Sequence, residues 1–213
     1  MKKATKKEIL EIQKQFVQRY SDAVSELQYK NAYELVIAVA LSAQCTDKRV
    51  NIITPALFEK YPTVQDLAKA ELEDVKKFLN SCSFFNNKAK NIVAMAQRVT
   101  QVYDGEIPMN EKDLQTLAGV GQKTAHVVMI EYMGANLMAV DTHVFRVAHR
   151  LGLSDDKTAK ATEATLVKKF KTDLHVLHQA MVLFGRYICT AKNPKCDECF
   201  LTEFCKSKAS FKV

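Results

Sequence analysis

The stretch CTAKNPKCDECFLTEFC, residues 189–205, constrains this chain more than any other. It holds four of the six cysteines, Cys189, Cys196, Cys199 and Cys205, spaced C-x6-C-x2-C-x5-C. The tail after Gly185 is rich in Lys and Cys and poor in aliphatic side chains. A segment so polar buries little apolar surface, so it needs a staple to stay folded. Disulfides and metal are the two staples open to it. The basic N-terminus, MKKATKKEILEIQKQF, alternates charged and apolar residues and lacks the uncharged core of a signal peptide. No stretch approaches the ~18 apolar residues of a membrane span. These features predict a cytoplasmic protein with no membrane partner. In that reducing compartment clustered cysteines hold metal more often than they pair.

Thiolates select soft metals, which leaves zinc or an iron–sulfur cluster. Structural zinc sites place two close pairs about a longer loop. Here only Cys196 and Cys199 form a close pair, and no His lies in the segment. A cubane offers one iron to each cysteine and tolerates unequal spacing, so the spacing favours [4Fe–4S] over zinc. Unligated surface cysteines are a third reading. Cys45 and Cys82 lie far off in sequence and read as ordinary small residues.

At 213 residues the chain is long enough for one domain or two small ones, with a core of its own. Apolar residues recur every three or four positions and period-two alternation is scarce, which predicts an all-α fold. Asn31 with Glu34 forms a capping box opening AYELVIAVALSA, a helix apolar nearly all round and therefore central. Thr63 with Asp66, and Asn110 with Asp113, open two more. YDGEIPMN, 103–110, is a turn-rich break. TDLHVLHQAMVLFGRYIC is a long amphipathic helix, capped by Thr172, that runs into the cysteines. The net charge of +7 suits a nucleic-acid partner, though many basic proteins have none.

DLQTLAGVGQKTAHVVMIEYM, 113–133, reads as helix, LAGVG turn, helix. Gly119 and Gly121 permit a tight turn and a close backbone approach. Free N–H groups at the start of the second helix suit a phosphate. A plain αα-hairpin is the competing reading. Lys123 sits in the first turn of that helix, where the dipole disfavours a cation. It reads as a surface lysine or as an amine nucleophile, which must be neutral to attack. The dipole supplies only about 0.3–1 kcal/mol, so desolvation or neighbouring cations must supply the rest. In MAVDTHVFRVAHR, Asp141 precedes a helix and reads first as its N-cap. A rigidly held cap can also stabilise a developing cation. His143 and Arg146 read as support for the fold.

LAGVGQKTA, AVDTHVFRV and the cysteine spacing stand in one order, with LSAQCTD and FFNNKAKNI upstream. Together they resemble the endonuclease III family of DNA glycosylases across essentially the whole chain. The resemblance implies a two-lobed, all-α helix-hairpin-helix glycosylase fold with its active site in the cleft between lobes. A six-helix bundle lobe would span 26–136 and contain the helix-hairpin-helix at 110–133. A [4Fe–4S] cluster lobe would join 1–25 to 137–213. By the same resemblance Lys123 is the nucleophile and Asp141 the essential carboxylate of a DNA N-glycosylase and AP lyase. Its substrate would be double-stranded DNA carrying oxidised pyrimidines or abasic sites, met by a monomer at the nucleoid. Gln44 would enter the gap left by a flipped base, and Phe84 would wedge the opposite strand where relatives carry an aliphatic residue. Lys192 and Lys195, stapled by the cluster, would meet phosphates. Ala118 and Gln122 replace a Pro and an Arg common in relatives, which loosens the turn and removes one phosphate contact. A monofunctional adenine-mismatch glycosylase resembles this chain but lacks the lysine. A non-catalytic DNA-binding module with structural zinc, and a ferredoxin-like electron carrier, are the rivals from other classes.

Overall fold

The computed structural model describes residues 3–210, which form helices, turns and loops with no strand among them. In chain order the helices are α1 (Lys6–Arg19), α2 (Ala32–Ser42), α3 (Asp47–Lys60), α4 (Val64–Ala68), α5 (Leu72–Leu79), α6 (Phe85–Val102), α7 (Glu111–Leu114), α8 (Gln122–Met133), α9 (Thr142–Arg150), α10 (Ala159–Phe170) and α11 (Leu174–Tyr187). Short 3-10 turns follow at Cys196–Glu198, Thr202–Phe204 and Lys208–Ser210. None of these helices is long and apolar enough to cross a membrane. The chain divides into two units. One is the continuous segment Ser25–Met133, and the other is built from the chain on either side of it.

In the continuous unit α2 is the central element. Leu35, Val36, Ile37, Ala38 and Leu41 are buried on all its faces, with α3, α6 and α8 packed around it. Asn31 Oδ1 accepts the Glu34 N–H at 2.9 Å, but the Glu34 carboxylate takes the N–H of Lys30 at 2.8 Å. The reciprocal half of the expected capping box is therefore displaced by one residue. Thr63 and Asp66 make the complete box. Asn110 caps α7 through the Asp113 N–H at 3.0 Å, yet α7 is a single turn. The Thr116 hydroxyl donates to the Asp113 carbonyl at 2.7 Å just beyond it, so the first helix of the hairpin is present but short.

The discontinuous unit is held by α1 lying along α11. Ile9, Ile12 and Phe16 recur at three- and four-residue spacing and give α1 one buried face. Phe16 meets Phe184 edge-on at 5.4 Å and Phe200 at 5.8 Å, and the Arg19 guanidinium lies 4.6 Å from the Phe200 ring centre. Thr172 is not the cap of α11, as the sequence predicts. Asp173 takes the cap position at φ 58 with no side-chain cap bond, and Asn136 Oδ1, 38 residues away, accepts the Leu174 N–H at 2.9 Å. Lys206 donates to Glu8 Oε1 at 2.5 Å, joining the tail to the first turn of α1. This bond, with help from the Thr5 N–H, lowers the Glu8 carboxyl from 4.5 to about 2. A depressed carboxyl stabilises the fold above its unfolded value and loses that contribution as pH falls through its folded value. Glu8→Gln therefore lowers the thermal unfolding midpoint at neutral pH. The gap between variant and parent closes as pH falls from about 4.5 towards 2, which a pH series of melts reads directly.

Candidate active site

The hairpin is braced before it is used. Arg98 and Tyr103, from the end of α6 and the residue after it, both reach the Thr116 hydroxyl at 3.0 Å. Across the turn, buried His126 of α8 brings Nε2 to 3.2 Å from Glu111 Oε2. The two glycines differ. Gly119 has φ +82, and a Cβ there would come within 3.1 Å of the Asn91 side chain. Gly121 has no positive φ and nothing within 4 Å of a Cβ, so it leaves the start of α8 open to a partner. Gly119→Ala costs about 1–2 kcal/mol for the left-handed residue alone. Gly121→Ala costs at most about 1 kcal/mol, the difference between the two residues at an N-cap. Denaturant midpoints therefore fall in the order parent, Gly121→Ala, Gly119→Ala.

Lys123 is exposed in the first turn of α8. The protein itself does not bury this amine, so the desolvation expected from the sequence is not built into the unliganded chain. The first N–H groups of α8 have no acceptor within the helix and face the same open end.

Asp141 is the N-cap of α9. Its Oδ1 accepts the Val144 N–H at 2.7 Å, and its carbonyl accepts the Phe145 N–H at 2.9 Å. Cap and candidate catalyst are thus one rigid residue. Further along α9, Arg146 donates to the carbonyls of Gly185 at 2.6 Å and Cys189 at 2.9 Å. One turn on, Arg150 donates to the Thr190 carbonyl at 2.7 Å, the Ala191 carbonyl at 3.1 Å and Cys189 Sγ at 3.3 Å. Gly185 is required small, because a Cβ there would sit 2.9 Å from His143 Cβ. The helix that presents Asp141 is therefore tied by its arginines to the first cysteine of the tail. His143, whose Nδ1 lies 3.2 Å from Arg146, belongs to this support.

Cys189, Cys196, Cys199 and Cys205 are all unpaired and line one pocket with Arg150 and Thr202. Its empty space, open mouth included, is about 420 Å³. The Thr202 hydroxyl donates to the carbonyls of Cys196 and Cys199 at 3.0 and 2.8 Å, which shapes the close pair. Among the described residues no three His, Cys, Asp or Glu side chains converge as ligands of one ion. Four thiols lining one pocket suit a cubane, which spreads four irons over four thiolates. Burial pushes the Cys199 and Cys205 thiols above their ordinary range, so their thiolates need nearby cations. A bound cluster would supply them as iron, whereas the Arg150 guanidinium reaches Cys189 Sγ. Lys192 and Lys195 are exposed on the loop between Cys189 and Cys196, with Lys195 at 3.8 Å from Glu198.

Gln44 and Phe84 occupy neighbouring turns of the continuous unit. Both are non-glycine residues in the left-handed region, at φ 54 and φ 58, and both are exposed. Phe84 is 63% exposed, unusual for an aromatic ring, and starts α6 without a side-chain cap. An exposed side chain at a turn tip is free to meet a partner. Lys88, buried in α6, donates to the Leu41 carbonyl at 2.9 Å and to Cys82 Sγ at 3.1 Å, bracing both turns. No role for Lys88, Arg150 or His126 is readable in the sequence. Only the arginines carried a readable signal, since Arg146 and Arg150 stand four apart on one helix face.

A family model described as HhH-GPD superfamily base excision DNA repair protein matches residues 37–172. A second, the iron–sulfur binding domain of endonuclease III, matches residues 189–205. The endonuclease III of Bacillus subtilis (strain 168) is 43% identical over 189 residues, covering 88% of this chain and 86% of that protein. This chain belongs to the endonuclease III family. The endonuclease III of Synechocystis sp. (strain PCC 6803) is 39% identical over 97% of this chain and 94% of its own. A solved trapped endonuclease III–DNA covalent intermediate, an estranged-adenine complex, superposes with a TM-score of 0.90 at 40% identity. It covers 97% of this chain and 98% of its own. A thermostable thymine-DNA glycosylase, at 22% identity and a TM-score of 0.85, shares the fold. As an endonuclease III family member, this all-α protein is a base excision DNA repair enzyme with a [4Fe–4S] cluster.

Proposed function

We propose that this protein is a bifunctional DNA glycosylase and AP lyase. It excises oxidised pyrimidines from duplex DNA and cleaves 3′ to the abasic site by β-elimination. The damaged nucleotide is flipped out of the stack. Lys123 Nζ attacks C1′ of its sugar, the C1′–N bond breaks, and the base leaves with a proton. Asp141 stabilises the positive charge that develops on the sugar and assists proton transfer. The C1′–O4′ bond then opens to leave a protonated Schiff base, which acidifies the C2′ proton, and loss of that proton expels the 3′ phosphate. Gln44 fills the gap in the stack, and Phe84 wedges the opposite strand. The turn at Gly119 and Gly121 takes one phosphate, while Lys192 and Lys195 take others without reading sequence. Cys189, Cys196, Cys199 and Cys205 hold the [4Fe–4S] cluster, which folds that lysine loop and carries no electrons in the reaction. The protein acts as a monomer in the cytoplasm, at the nucleoid.

Lys123 carries this reading: an exposed amine beside an anion-binding helix start, in a family with a solved covalent DNA intermediate. An adenine-mismatch glycosylase would release its base without a protein–DNA bond. The test is borohydride trapping on a duplex with one thymine glycol. The parent yields a covalent adduct and Lys123→Ala yields none. Base release without an adduct in the parent would move the protein to the monofunctional class.

A further inference from the structure

Cys45 and Cys82 are 37 positions apart and outside the tail, yet the fold brings them together at the base of the Gln44 and Phe84 turns. Cys45 packs against the core that contains Cys82, and burial first, then the neighbouring Cys82, pushes its thiol above the ordinary range. Cys82 is 3% exposed and Cys45 is half-buried, so a small solute reaches Cys45 first. Behind them stands Lys88, itself only 8% exposed, with Nζ 3.1 Å from Cys82 Sγ. An ammonium is seldom buried without a partner, and here its partners are a carbonyl and a thiol rather than a carboxylate. That places a fixed positive charge where a Cys82 thiolate would form.

We propose that Cys45 and Cys82 are a peroxide-oxidised dithiol that closes to a disulfide across the two turns. The Cys45 sulfur attacks hydrogen peroxide, the O–O bond breaks, and a sulfenic acid and one water result. Cys82 then attacks the Cys45 sulfur, the S–O bond breaks, and the departing hydroxide takes the Cys82 proton to leave as a second water. Each sulfur has lost one electron, and the peroxide oxygens have gained both. Lys88 holds the negative charge on Cys82 while its proton moves.

An S–S bond of ~2.05 Å is shorter than any non-bonded sulfur contact, so closure draws the turns together. A shift of about an ångström at positioning residues is enough to cost a large factor in rate. The oxidised protein is therefore slow at lesion incision. That consequence rests on Gln44 and Phe84 entering DNA, whereas the disulfide does not.

The experiment treats the full, cluster-loaded chain with a few equivalents of hydrogen peroxide, blocks free thiols, and maps peptides by mass spectrometry. A cross-linked pair containing Cys45 and Cys82 is expected, about 2 Da lighter than the two free thiols. Dithiothreitol releases it, Cys45→Ser and Cys82→Ser each abolish it, and the cluster's visible absorption is unchanged. Incision of a thymine glycol duplex falls about tenfold or more on oxidation and recovers on reduction. The Cys45→Ser/Cys82→Ser double variant keeps its rate throughout. Oxidation of Cys45 without a cross-link, or loss of the cluster before one forms, overturns the site. A cross-link with undiminished incision overturns its control of activity. If Gln44→Ala and Phe84→Ala both incise like the parent, the DNA-insertion reading fails while the dithiol stands.

Discussion

Lys123→Gln loses strand cleavage at a pre-formed abasic site by roughly four orders of magnitude under single-turnover conditions. The size of the loss follows from the chemistry. On the proposed reading Lys123 forms the imine with C1′, and without that imine the C2′ proton keeps its ordinary acidity. Gln is one atom shorter than Lys but has a similar helix preference, and the site is exposed, so stability changes by no more than about 0.5 kcal/mol. Binding to an intact duplex weakens only modestly, by about one phosphate contact, and its salt dependence falls by about one unit. Cleavage of an abasic duplex, an unfolding curve and a salt titration separate these outcomes. Lyase activity surviving in the variant would sink the assignment.

Asp141→Asn separates charge from architecture. Asn and Asp are nearly equal as N-caps, so the Val144 N–H keeps its acceptor and α9 its start. What disappears is the negative charge that the proposed mechanism sets against the developing cation. Base release should fall about 10²–10³-fold, the usual scale for one electrostatic contact to a transition state, with the unfolding midpoint nearly unchanged. Asp141→Ala loses as much rate and, in addition, about 1 kcal/mol of stability from the missing cap. If Asn retained the parent's rate, Asp141 would be a cap and nothing more.

The signals that the sequence carried well were short-range ones. Thr63 and Asp66 announce a helix start because both halves of the bond lie within one turn. Asp141 is readable as a cap for the same reason. The cysteine spacing and the glycine turn are also local. Capping that crosses the chain was not readable. Leu174 is capped by Asn136, and nothing about Thr172 or Asp173 in the sequence reveals that the partner comes from elsewhere. The contact of Cys45 with Cys82, and the burial of Lys88 behind them, depend on α2 and α6 packing side by side. Lys88 in isolation looks like any other lysine of a basic helix. The reach of Arg150 to Cys189 and Thr190 likewise needs α9 and the tail already in place.

The discontinuous unit has a consequence for how the polypeptide emerges from a ribosome. Ile9, Ile12 and Phe16 are made at the outset, yet Phe184 and Phe200, which cover them, come near the end. At ~5–20 residues per second the oily face of α1 waits on the order of ten seconds for its partners. During that wait Ser25–Met133 is already complete and holds a compact core of its own. A nascent chain stalled before Leu174 would carry a finished middle and a sticky leading helix. Such chains are clients for a chaperone, and slowing synthesis over the last helix should raise aggregation more than slowing it over the first.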